Sequence, residues 1–138
     1  MSALAEFRQS LERLLTTRKI SVTRWGHGRS ANLLELTTLP KPTVLYVKEF
    51  NVARHAGFGG LTKNQVERLV SAQVRWFAVL LMRSATSGYL ISGQQVVHRV
   101  RSGLFELSHD GDYKVNEGTD LEDGQKIRSM QDLLARIL

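Results

Sequence analysis

Arg18, Lys19, Arg24, His27 and Arg29 lie close together and bracket Trp25, and Lys48, Arg54, His55 and Lys63 follow. Side chains of these types suit one kind of chemistry. Cations neutralise the phosphates of a nucleic-acid backbone, and an aromatic ring among them stacks on an exposed base or wedges at a junction. The alternative has Trp25 filling the core of a hairpin while the arginines are merely solvated. Arg54 and His55 are the stronger candidates, because they stand beside glycines, and loops hold functional groups over a rigid sheet. Phe58 reads as an anchor of that loop.

Other chemistries find no pattern. The histidines at 27, 55, 98 and 109 form no HxH, HxxxH or HExxH spacing, so a zinc site is not expected. Gly26-His27-Gly28 has neither GxGxxG nor GxxxxGK[ST] spacing, and no GxSxG elbow occurs. Cysteine is absent, which removes disulfides and thiolate chemistry and fits a reducing cytoplasm. With 138 residues, 42% of them apolar, one core and one domain over 1–138 are expected. No apolar run approaches the roughly 20 residues of a membrane span. A soluble cytoplasmic protein that does not engage a membrane is the expectation.

Net charge is +6 overall but unevenly placed. Residues 1–101 carry fifteen basic and five acidic side chains, a net of +10, whereas 102–138 carry four and eight, a net of −4. The first part is expected to meet a polyanion, nucleic acid before anionic membrane. The acidic tail, a hairpin and a helix, is expected to face elsewhere.

Elements must position these residues. Leu4, Phe7, Leu11, Leu14 and Leu15 mark a helix over 3–16 with Ser2 as N-cap. Ile20 and Val22 start a first strand that breaks at the Gly26–Gly28 turn. Residues 32–36 and 44–48 form the second and third strands, separated by the Pro40 and Pro42 link. Residues 51–60 read as a mobile loop, and Thr62 with Gln65 as the capping box of a helix over 63–72. The seven apolar residues 76–82 suit a strand buried on both faces. A strand at 88–91, a helix near 93–100, a small strand at 113–115 and a closing helix from Met130 complete the chain. Asp132 and Arg136 form an i,i+4 pair on that last helix.

This order of helix, three strands, helix, buried strand and strand predicts an α/β (α+β) class, a mixed central sheet flanked by helices. It resembles the PD-(D/E)XK nucleases, the restriction-endonuclease-like fold that includes archaeal Holliday-junction resolvases. The resemblance rests on Asn32-Leu33-Leu34-Glu35, on Leu45-Tyr46-Val47-Lys48, and on Gly57 to Thr62 leading into the second helix and the 76–82 and 88–90 strands. It implies an acid on the second strand, and an acid and a lysine two apart on the third, sharing one face. In such a site magnesium sits on the carboxylates, and metal and lysine together activate water for phosphodiester hydrolysis.

Carried onto this chain, the resemblance makes Lys48 the lysine and Glu35 the metal ligand, with Asn32 as the competing occupant of the acid position. Tyr46 departs from the pattern, since it stands where an acid is required. Glu49 follows Lys48 directly and faces the other way unless a bulge intervenes. Glu12 on the leading helix is a further carboxylate that could approach. Glu35 otherwise reads as a structural or solvent-facing charge, and Lys48 as a phosphate contact or a snorkelling strand lysine.

The expected function is therefore DNA or structured nucleic-acid binding through Arg24, Arg29, Lys48, Arg54, His55 and Lys63. The chain would be either a magnesium-dependent endonuclease using Glu35 and Lys48 or a catalytically degenerate relative. A homodimer is compatible with this reading. The alternative is a non-enzymatic protein-interaction module, such as a phage or mobile-element protein that inhibits or recruits a nuclease.

Overall fold

The computed structural model describes residues 2–28, 30–53 and 56–138. The first apolar stripe forms α1 (Ala3–Thr16), with the Ser2 hydroxyl accepting from the Ala5 amide and Phe7, Leu11 and Leu15 buried. Next come β1 (Val22–Arg24), a 3-10 turn at Trp25–His27 in which Gly26 takes φ 63°, β2 (Leu33–Leu36) and β3 (Thr43–Glu49). Two antiparallel strands, β4 (Asn51–Ala53) and β5 (Ala56–Thr62), precede α2 (Lys63–Ser71). The long strand β6 (Arg75–Ser84), β7 (Ser87–Ser92) and α3 (Gly93–Arg101) follow. The chain continues through β8 (Glu106–Leu107), β9 (Asp112–Asn116), a single turn α4 (Glu117–Asp120), β10 (Lys126–Ile127) and α5 (Met130–Ile137). Among the described residues, no helix is long and apolar enough to cross a membrane.

Two sheets result. The central one has the order β1-β2-β3-β6-β7-β10, with β3 and β6 parallel and the other pairs antiparallel. The second, β4-β5-β9-β8, is wholly antiparallel. Alternation on β3 divides the core. Val44 and Tyr46 face a cluster built with α2, α3 and the second sheet, represented by Val66, Leu69, Val96, Leu61 and Val115. Leu45 and Val47 face α1 and α5. The strand at 76–82 is buried on both faces as expected: Trp76, Ala78 and Leu80 join the first cluster, Val79 and Leu81 the second.

Three expectations change. Residues 51–53 and 56–60 are strands, not a loop, and residues 54 and 55 of that stretch lie outside the described residues. The glycines of β5 are dictated by close packing, since a Cβ on Gly59 would lie 2.6 Å from the Phe50 ring and one on Gly57 would meet Met82 Sδ. Thr62 caps α2 without a side-chain bond, and Gln65 Nε2 donates instead to Ser30 Oγ (3.3 Å); the reciprocal box forms on α3 between Ser92 and Gln95. Finally, the acidic tail does not stand apart. β9 pairs with β5, β10 with β7, and α5 fills the second core through Leu133, Leu134 and Ile137.

Candidate nucleic-acid interface

Lys48 follows Val44 and Tyr46 on the same face of β3, at the carboxyl end of the strand, where burial gives way to solvent. It borders a groove of about 560 Å³ with Asn51, Phe58, Gly60, Lys114 and Asn116, and the acidic residues Glu49 and Asp112 line the same groove. The β5–β9 register builds the opposite wall. Phe58 lies across from Asn116 and Gly60 from Lys114, so these residues share the outer face while Tyr113 and Val115 point into the core. Phe58 is 46% exposed, a large aromatic left open beside cations. A Cβ on Gly60 would lie 2.7 Å from Asp112 Cβ, so that position stays bare.

The charges differ in their partners. Lys114 pairs with Asp110 at 2.9 Å and with Asp112 at 3.9 Å. The Lys114 ammonium, helped by the Ser108 hydroxyl, holds the Asp110 carboxyl well below the usual carboxylate range, and Asp110 in turn raises Lys114. Glu49 alternates to the other face without a bulge and accepts the Leu4 amide at the start of α1. Glu12 pairs with Arg8 at 2.7 Å on α1. Lys48 has no ion pair among the described residues.

Of the carboxylates expected around Lys48, Glu49 borders the groove but is engaged by the Leu4 amide, and neither Glu35 nor Glu12 lines it. Glu35 lies opposite Val44, four residues from Lys48 along β3, which separates them by about 13 Å on the same face. Leu33 is the residue opposite Tyr46, and Asn32 donates its side-chain amide to Val47 O at 2.6 Å. Tyr46 is fully buried and its hydroxyl accepts the Thr62 amide at 3.0 Å; burial pushes its pKa up, the Thr62 bonds pulling the other way. No group of three His, Asp or Glu side chains able to hold a metal occurs among the described residues. This donor set does not fit the magnesium site that the resemblance implies.

Of the other expected contacts, Lys63 begins α2 directly after Thr62 and pairs with Glu67 at 3.8 Å. Arg24 lies two strands away and, opposite Leu34, on the other face of the central sheet. Arg29, Arg54 and His55 lie outside the described residues. Trp25 is half-buried against the first core with the Arg68 guanidinium 5.3 Å from its ring centroid, so it takes the structural role. Lys114, Asn116 and Asn51 were not among the residues expected from sequence. The signal was present in the 112–116 alternation, where Tyr113 and Val115 turn inward and Asp112, Lys114 and Asn116 outward.

No family model and no curated protein matches this chain. Among solved structures it is similar to Archaeoglobus fulgidus Hjc, a Holliday junction resolvase from an archaeal hyperthermophile, with a TM-score of 0.47 and 14% identity over 84% of this chain and 90% of that one. What the Lys48 groove can do follows from its own residues.

Proposed function

We propose that this chain binds nucleic acid without cleaving it, holding an unpaired strand segment in the groove between its two sheets. Lys48 meets a backbone phosphate and an unstacked base lies on Phe58, with Asn51 and Asn116 bonding to base or sugar edges, while Lys114 stays paired with Asp110 and Asp112 at the wall. The observation that carries this reading is the unpaired Lys48 beside a half-exposed aromatic ring. Hydrolysis is left out because Tyr46 holds one acid position with Leu33 across from it, and Glu35 lies at the far end of β3.

The test is incubation of the protein with labelled single-stranded, duplex and branched DNA at low salt, with magnesium or manganese, reading both retention and strand length. Binding that favours single-stranded or branched DNA, loss of that preference in Phe58→Ala, and intact strands are expected. Absence of binding to all three overturns the proposal, and metal-dependent cleavage abolished by Lys48→Ala overturns its non-cleaving part.

A further inference from the structure

A second cleft lies at the opposite end of β3, about 690 Å³ in volume, between the end of α1, the β2–β3 connection and the end of α5. Arg18, Lys19, Lys41 and Arg75 line it, and no carboxylate side chain does. Arg18, Lys19 and Lys41 have no ion pair among the described residues. Its apolar lining includes Ile20 and Leu138, and Leu39 is 93% exposed beside it.

The polar floor is held in place before any ligand arrives. Thr38 Oγ1 donates to Lys41 O at 2.6 Å and lies 2.8 Å from Thr43 Oγ1. Arg75 Nη1 reaches Thr43 Oγ1 at 2.6 Å and Ile137 O at 2.7 Å, with its guanidinium 4.8 Å from the Phe77 ring centroid. A cleft of this volume suits a small molecule. Unpaired cations select an anion, and an exposed leucine beside them selects an apolar body.

We infer that this cleft binds a small amphiphilic anion, an apolar chain ending in a carboxylate or phosphate, with the head group among Arg18, Lys41 and Arg75 and the chain against Ile20, Leu39 and Leu138. The concave shape favours a single soluble molecule over a bilayer surface. This site is separate from the Lys48 groove and does not depend on its function.

The test is titration of the full chain with decanoate and decyl phosphate, followed by amide chemical shifts and calorimetry, with decyltrimethylammonium and acetate as controls. Saturable one-to-one binding of both decyl anions, with shifts at Thr37, Thr38 and Arg75, is expected. Reversing Arg18 and Lys41 to Glu should weaken it about tenfold or more, as the loss of charge-assisted contacts would. Should that variant fail to fold, Arg18→Gln with Lys41→Gln serves in its place. Leu39→Ser should weaken decanoate while leaving the fold intact. Equal binding of the cationic control, shifts confined to other surfaces, unchanged affinity in the charge variants, or binding to anionic phosphatidylglycerol vesicles but not to free decanoate would each overturn the inference.

Discussion

The Thr62 amide donates to the Tyr46 hydroxyl over 3.0 Å, which fastens the end of the second sheet to the middle of the central one. A carboxylate at position 46 would instead be buried among Leu33, Leu61 and Ile91. Tyr46→Phe is therefore expected to lower stability by about 1–2 kcal/mol through the orphaned amide. Tyr46→Glu should cost more, about 3 kcal/mol, and gain no cleavage. Urea unfolding of both variants measures this; a Tyr46→Phe protein as stable as the wild type would contradict the role assigned to the hydroxyl.

Tyr89 gives a pH dependence. Burial, and then the hydrogen bond to Glu117 Oε2 at 2.8 Å, push its pKa up to about 12. A raised pKa on an acid means that the folded state keeps the proton longer than the unfolded chain. Stability associated with the neutral phenol is thus fully present below about pH 10 and is lost as pH rises towards 12. Tyr89→Phe should flatten that alkaline decline in unfolding experiments between about pH 9 and 12. A decline of unchanged steepness would exclude Tyr89 as its source.

Gly59→Ala tests the packing of β5. Its Cβ would lie 2.6 Å from the Phe50 ring, so the substitution should destabilise by about 1–3 kcal/mol. Phe50→Leu in the same chain should recover part of the loss, which a double-mutant cycle in thermal unfolding would reveal.

Most of the fold was legible because its elements announce themselves locally. The Leu4–Leu15 stripe, the 76–82 apolar run and the Met130–Leu138 stripe each carry their own period, and each became the element expected. Residues 51–60 misled because strands are usually rich in side chains, whereas here the glycines exist to let Phe50 and Met82 approach the backbone. The site was less legible for a related reason. Lys48 and Glu35 share a face, but both that and their separation depend on the β2–β3 register, which only the fold fixes. Lys114 and Asn116 reach the groove through β5–β9 pairing across more than fifty residues, and a charge count that assigns the tail to another surface cannot see that.

If Lys48 is a phosphate contact, salt dependence measures it most directly. Fluorescence anisotropy of a labelled single-stranded oligonucleotide, titrated with wild type and Lys48→Ala over a series of salt concentrations, gives log Kd against log salt. Binding is predicted to weaken with salt, with Lys48→Ala weaker by about five- to tenfold and its slope shallower by about 0.7, the loss of one single-strand phosphate contact. Equal affinity and equal slope for the two proteins, or no binding by the wild type at the lowest salt, would contradict it.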